Sequence, residues 1–297
     1  MNCTALIVTF NRLEKLKKTI EETMKVGFSH IMVVNNGSSD GTEDWLNTLT
    51  EGSIVVLNLP TNIGGAGGFK AGSQYICDNI PTDWVFFYDD DAYPESDIIK
   101  KFSKIECGKY EVYAAFVRDL KGNSCPMNLP FSKIPLTLLD TIRYIKNKER
   151  FIPAINKRTE VQTVSFVGMI IRSTLLKKNT KKIHDELFLY FDDLYFGYQL
   201  FLSGEKICYV PELIFNHDVS IQGKVISPEW KAYYLCRNLI LSKHIFSHGE
   251  IYSNASICLR ILKYTILIPW QKRRLKYIQY LFRGVKHGMQ GISGKKH

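Results

Sequence analysis

The sequence predicts an α/β fold, a mostly parallel central sheet flanked by helices and followed by a basic helical extension. Three observations carry that expectation. The runs Ala5-Leu6-Ile7-Val8, Ile31-Met32-Val33-Val34 and Ile54-Val55-Val56-Leu57 are short, continuous and apolar, as strands buried on both faces of a parallel sheet are. Between them stand helical or cap-rich segments, and regular alternation of strand and helix is the signature of a parallel sheet with covered faces. The charge is divided unevenly as well. The net charge of +10 resides after Glu250, where ten Lys or Arg residues meet no Asp or Glu, while the 29 remaining basic residues balance 29 acidic ones.

In chain order, strands are expected at 4–9, 30–35, 53–58 and 83–88. Residues 12–23 and 44–49 read as helices, the second introduced by the cap-rich Ser38-Ser39-Asp40-Gly41-Thr42. Residues 64–80 read as a glycine-rich loop entering a helix that begins near Lys70. Further on, 112–117 and 161–172 look like strands, 194–203 like a helix, and 206–210 like another strand. Residues 120–160 are assigned no element. No internal repeat or low-complexity tract is seen.

A composition of 45% hydrophobic and 23% charged residues over 297 positions describes an ordinary globular chain of one or two domains. The natural division is 1–250 as the α/β domain and 251–297 as the basic tail. Seven widely spaced cysteines without a Cys-x-x-Cys pair indicate neither a disulfide framework nor a zinc site, which suits a reducing cytoplasm. The first residues run into a strand rather than a signal peptide, and no segment has the ~18–20 apolar residues of a membrane span.

Each early strand ends in polar residues: Thr9, Asn11 and Arg12; Asn35 and Asn36; Asn62 with its glycines; and Asp89-Asp90-Asp91. In an open α/β sheet the carboxyl ends of the strands line one crevice, so these groups should converge. Three adjacent carboxylates repel one another and call for a cation. With one residue between them, Asp89 and Asp91 project to the same side of extended backbone, where they can hold Mg2+ or Mn2+ and leave positions for phosphate oxygens. Asn62-Ile63-Gly64-Gly65-Ala66-Gly67-Gly68-Phe69 precedes a helix, so its N–H groups could receive diphosphate or sugar oxygens. A plain flexible loop is the alternative. Its spacing does not fit the dinucleotide-binding Gly-x-Gly-x-x-Gly pattern.

Taken together, Val8-Thr9-Phe10-Asn11-Arg12, Val33-Val34-Asn35-Asn36-Gly37-Ser38-Ser39-Asp40-Gly41-Thr42, the segment from Asn62 to Phe69, Asp89-Asp90-Asp91-Ala92 and Phe191-Asp192-Asp193 resemble family 2 glycosyltransferases of the GT-A fold. The resemblance covers about residues 3–240. The Gly-Gly-Ala-Gly-Gly-Phe loop with the triple aspartate is similar to the galactofuranosyltransferase branch, with bacterial rhamnosyltransferases nearby.

The resemblance implies that Asp89 and Asp91 are the metal-binding Asp-x-Asp pair, that His217 is the third ligand and that Asp193 is the catalytic base, in an inverting single displacement. It implies donor contacts from Thr9, Phe10, Asn11, Arg12 and Asn35 on the nucleoside side. Asn62, Gly64, Gly65, Gly67, Gly68 and Phe69 would lie near ribose, diphosphate and sugar. Asp90 would support the turn or reach a donor hydroxyl, and Asp192 would cap its helix or share in function. Trp230, Tyr233, Tyr234, Arg237 and Asn238 could shape the acceptor or donor side of the cleft or pack in the core. Family members often carry Asp where this chain has Asn35. An amide still accepts a hydrogen bond from a pyrimidine N3–H, which leaves uracil and thymine nucleotides both open.

The tail interleaves Leu259, Leu262, Ile266, Trp270, Leu275, Ile278 and Phe282 with its cations, and Pro269 should divide it into two helices. A helix with that composition suits an anionic bilayer surface; covering the catalytic domain or binding nucleic acid are the alternatives. A neutral 1–250 segment argues against nucleic acid as partner. The expectation is a metal-dependent inverting glycosyltransferase, cytoplasmic and peripheral to the inner face of the membrane. It would move galactofuranose from its UDP donor onto a lipid-linked, cell-surface glycan acceptor. A dTDP-rhamnose donor, or a nucleotide-sugar-binding protein without turnover, are the alternatives.

Overall fold

The computed structural model describes residues 1–105, 108–219, 223–246 and 251–297; Cys107 and Glu250, the last residue of the neutral segment, lie outside them. The elements in chain order are β1 (Cys3–Thr9), α1 (Leu13–Met24), β2 (His30–Asn35), α2 (Thr42–Leu46), β3 (Ile54–Asn58), α3 (Gly64–Asn79), β4 (Trp84–Asp89) and β5 (Ala92–Pro94). They continue with α4 (Ile98–Ile105), β6 (Val112–Asp119), α5 (Leu138–Lys146), β7 (Thr159–Val161), β8 (Met169–Arg172), α6 (Ser173–Asn179) and α7 (Asp192–Leu202). The last are β9 (Ile207–His217), α8 (Lys231–Ile245), α9 (Asn254–Ile266) and α10 (Arg274–Met289).

The four apolar runs form the parallel half of the sheet in the order β3-β2-β1-β4, and β8, β6, β9 and β5 extend it, with β7 paired to β9. Because side chains alternate along a strand, the sheet has two cores. Ala5, Ile7, Trp84, Phe86 and Tyr88 face α1 and α4, where Leu16, Ile20 and Phe102 meet them. Leu6, Val8, Val85 and Phe87 face α3, α6 and α7 through Phe69, Ile76, Leu176 and Phe196. Burial on both sides is what the uninterrupted apolar runs anticipate.

Several elements differ from expectation. The stretch 161–172 is not one strand but β7 and β8, separated because Gln162 and Thr163 bond the 131–134 segment: Gln162 N donates to Phe131 O (2.7 Å), and Phe131 N donates to Thr163 Oγ1 (2.8 Å). Helix α3 begins at Gly64 rather than near Lys70, so the glycines belong to the helix. In the unread region 120–160, α5 is capped by Thr137 Oγ1, which accepts from Asp140 N at 3.0 Å. Pro269 lies in the turn between α9 and α10, as expected.

The tail packs on the body. Thr141 of α5 and Ser256 of α9 share a buried 2.7 Å hydrogen bond, and Arg260 donates to Pro135 O at 3.0 Å. Gly284 of α10 lies against the Tyr233 backbone of α8, where a Cβ would fall 2.5 Å from the Tyr233 carbonyl oxygen.

Candidate metal and catalytic site

The order β2-β1-β4 puts connections on opposite sides of β1, and the crevice at the carboxyl ends of β1 and β4 is the topological switch point where ligands bind in open α/β sheets. The two strand ends are tied together there. Thr9 Oγ1 donates to Asp90 Oδ2 (2.8 Å), Phe10 N donates to the same oxygen (3.3 Å), and Arg12 Nη1 donates to Asp90 Oδ1 (3.3 Å). Asp90 and Thr9 are buried, so their work in this structure is to join β1 to β4.

After β4 the chain turns through Asp90 and Asp91 into β5, which pairs antiparallel with β9 so that Ala92 faces His217. That register carries His217, more than a hundred residues distant, to the aspartates. One ligand atom each from Asp89, Asp91 and His217 lies within 4.8 Å of the others, so the three could hold a metal ion. Burial, with Asp91 nearby, pushes Asp89 up to about 7. Asp91 is held at about 2: burial works against this, but the His217 hydrogen bond and the charges of Arg12 and Lys15 outweigh it. Arg12 Nη1 and Lys15 Nζ approach Asp91 Oδ2 at 2.6 and 3.4 Å, two cations drawn to the same carboxylate.

The bonds around His217 test whether this donor set fits a metal. His217 Nδ1 is 3.0 Å from Asn128 Oδ1, and Asn128 Nδ2 donates to Ser165 Oγ at 3.0 Å. With the amide so oriented, Nδ1 carries the proton and donates. The other ring nitrogen, Nε2, faces Asp91 Oδ1 at 3.2 Å, where a cation could take the place of the hydrogen bond between them. Metal-bound histidines characteristically donate their other N–H to a neighbouring acceptor, as Nδ1 does here to Asn128. The residues fit a divalent cation.

The same chain of bonds runs on to Asp193, whose carboxylate is bonded by Ser165 and by the N–H groups of Phe166 and Leu194, the last at 2.7 Å. Every donor points one way, from His217 through Asn128 and Ser165 to Asp193. Burial raises the Asp193 carboxyl above the ordinary range, and these three donors oppose the rise. Asp192, also in the first turn of α7, is pushed up to about 8 by burial and by the neighbouring Asp193 charge.

The turn into α7 is held in an uncommon conformation, with φ of 67° at Phe188 and 69° at both Tyr190 and Phe191. Such residues cost about 1–3 kcal/mol each and persist only where the surroundings fix them. Asn238 does so by donating to Leu187 O, Leu189 O and Tyr190 O at 3.1, 2.7 and 3.0 Å, and Arg237 Nη2 donates to Leu187 O at 2.7 Å. Arg237 is fully buried, and Trp230 stacks on His297 at 4.1 Å. Arg237 is thus packed inside and bonded to the loop before Asp193.

The glycine segment also divides. A Cβ at Gly68 would meet Val8 Cγ1 at 2.5 Å, and one at Gly67 would meet Ile63 Cγ1 at 2.7 Å. Phe69 lies in the core with Phe87 and Phe166. Gly68 and Phe69 pack α3 onto the sheet, and Gly67 lies against Ile63 at the start of the same helix. Gly64, with φ of +85°, abuts Phe188 O, whereas a Cβ at Gly65 would meet nothing within 4 Å. Asn62 Oδ1 accepts from Gly64 N at 2.8 Å. Asn35 is buried; its Nδ2 donates to Asn58 Oδ1 (2.9 Å) and its Oδ1 accepts from Ser38 N (3.1 Å). Phe10, Asn11 and Arg12 are exposed at the end of β1.

Asn128 and Ser165 escaped the sequence reading, and Asn36, placed by it at a strand end, was given no role of its own. Asn36 bonds both Ile63 N and Gly64 O, fixing the start of α3, and its place beside Asn35 at a strand end was the available signal. Asn128 and Ser165 come from segments with no recognisable motif. Beside them a pocket of about 150 Å³ opens over Asp193, walled by Leu129, Phe131, Tyr144 and Ile152, with Lys148 at its edge.

Residues 2–233 match the model of the glycosyltransferase-like family 2, and the chain belongs to that family. Among proteins of curated function none matches it. The fold is similar to a crystal structure of residues 1–349 of TarS from S. aureus, at 17% identity and a TM-score of 0.53, covering 98% of this chain and 92% of that one. It is also similar to GalNAc-T7 determined with UDP, GalNAc and Mn2+, at 13% identity and a TM-score of 0.53 over 88% of this chain and 56% of that one. A longer TarS structure gives 18% identity and a TM-score of 0.52, with 97% and 55% covered. The chain spans a little over half of those last two.

Proposed function

We propose that this glycosyltransferase is metal-dependent and inverting, and that it moves galactofuranose from UDP-galactofuranose to a hydroxyl of a lipid-linked, cell-surface glycan acceptor. The observation that carries the reading is the one-directional chain of hydrogen bonds from His217 to Asp193. It leaves His217 Nε2 beside two carboxylates at one end and a buried, ionisable carboxylate at the other. The sugar assignment rests on the resemblance of the Gly64 to Phe69 segment and the triple aspartate to galactofuranosyltransferases.

Asp89, Asp91 and His217 would hold Mn2+ or Mg2+, which when bound would offset the charge that grows on the departing diphosphate. Arg12 and Lys15, released from Asp91, bind diphosphate oxygens. Phe10, Asn11 and the Asn62 to Gly65 segment receive the nucleoside and sugar, and Gly65 supplies open backbone. Asp193 takes the acceptor proton as the acceptor oxygen bonds to sugar C1; the bond from C1 to the diphosphate oxygen breaks on the opposite side, and its electron pair leaves with the nucleotide. The configuration at C1 inverts.

In this reading residues 1–250 are catalytic and 251–297 hold the enzyme at an anionic bilayer, using exposed Leu275 and Phe282 with Lys272, Arg273, Arg274 and Lys276. No helix among the described residues is long and apolar enough to cross a membrane. The test is Asp193→Asn. Transfer should fall by about 10²–10⁴ while donor binding, read by calorimetry, stays within a factor of two or so. Unchanged turnover would remove Asp193 from the base role.

A further inference from the structure

Helix α5 turns apolar side chains outward. Leu139 and Ile145 are 63% and 65% exposed, and Leu138 and Ile142 are exposed beside them. A soluble helix normally buries such residues and shows water its polar ones. Here the inward contact is instead Thr141, bonded to Ser256 of α9. The outward apolar residues are mixed with cations: residues 138–150 contain Arg143, Lys146, Lys148 and Arg150 against Asp140 and Glu149. Helix α9 continues the pattern with exposed Leu262, Lys263 and Ile266. The tail beyond it is basic without a single acid. Apolar side chains interspersed with an excess of cations match one environment, the headgroup boundary of an anionic bilayer.

The position of α5 gives that surface a purpose. Tyr144 of α5 and Lys148 just after it also line the pocket over Asp193. One short helix thus has a face toward the pocket and apolar residues toward solvent. We propose that α5 is a second membrane-contacting element, distinct from the tail, which brings the mouth of the Asp193 pocket to the lipid surface. The acceptor class this implies is an amphiphile: its apolar anchor stays in the bilayer along α5 while its hydroxyl-bearing sugar enters between Phe131, Tyr144 and Ile152. The inference rests on the membrane reading given above for the tail.

The test is flotation of the full chain with vesicles of phosphatidylcholine mixed with phosphatidylglycerol. Three proteins are compared: wild type, Leu139→Ser/Ile145→Ser, and Lys272→Glu/Arg273→Glu/Arg274→Glu/Lys276→Glu. All six altered side chains are exposed, so thermal unfolding should be unchanged and serves as the folding check. The α5 variant should lose about tenfold or more in vesicle affinity, since two apolar side chains no longer leave water. Its release of nucleotide from a water-soluble donor should remain as in wild type. If the tail variant detaches while the α5 variant binds as wild type does, the inference about α5 fails and the tail reading stands. If wild type itself does not float, both fail.

Discussion

Ser165 donates to Asp193 and accepts from Asn128, and so joins the two chemical ends of the site. Its hydroxyl favours the ionised form of Asp193 against the burial that favours the protonated form. Ser165→Ala should therefore raise the Asp193 pKa and move the acid limb of the rate profile to higher pH, with kcat lowered about 3- to 30-fold and donor KM unchanged. A profile superposable on wild type would separate Ser165 from the proposed base. Asp192 offers a second pH experiment. Its carboxyl is raised to about 8, far above its value in an unfolded chain, so the folded protein binds the extra proton and loses stability as pH rises from about 4 to about 8. Asp192→Asn keeps the shape without the charge. It should raise Tm at pH 8 by a few degrees and leave it nearly unchanged at pH 4, at about 2–4 °C per kcal/mol for a chain of this size. Equal shifts at both pH values would contradict the assignment. At this scale the carboxylates were legible because repulsion between adjacent charges is written in the sequence. Asn128 and Ser165 were not, since their meaning arises only when distant segments meet.

Helix α3 shows how one glycine cluster serves two ends. Gly68 and Gly72 let the helix lie on β1 and β2, where an added Cβ would strike Val8 at Gly68, and Leu6 and Val34 at Gly72. Gly68→Ala should cost about 1–3 kcal/mol of stability through overpacking. Gly65→Val should leave Tm nearly unchanged, because its Cβ enters open space, and weaken donor binding if Gly65 has the proposed donor contact. Thermal melts and donor titrations of the two variants should give opposite patterns; matching patterns would dissolve the distinction. The parallel strands were readable because burial on both faces leaves uninterrupted apolar runs. Helix α5 went unread although Leu138, Leu139, Ile142 and Ile145 recur at helical spacing, since it is only nine residues long and stands among irregular segments. The stretch 161–172 misled because its β-branched residues serve a loop bonded to 131–134 as readily as a strand.

On the scale of the molecule, the charge division marks a basic tail, but the contacts show that this tail is also part of the packing. Tyr277 is fully buried, and Gly284 and Gly288 bring α10 against Tyr233 and Ile240 of α8. Helix α8 in turn carries Arg237 and Asn238, which hold the loop before Asp193. Deleting 251–297 should therefore lower Tm and activity together, through loss of the α8 support, whatever its effect on membrane binding. A truncated protein with wild-type Tm would show that α10 packing adds little. The family, the fold and a cluster suited to a divalent cation converge on sugar transfer from a nucleotide donor. The most direct test is release of nucleoside diphosphate from UDP-galactofuranose, UDP-galactose, UDP-glucose and dTDP-rhamnose, each with Mn2+, with Mg2+ and with chelator. The account predicts release from UDP-galactofuranose that requires a divalent cation and is lost in Asp89→Asn; release that persists in chelator, or none from any of the four donors with either metal, would contradict it.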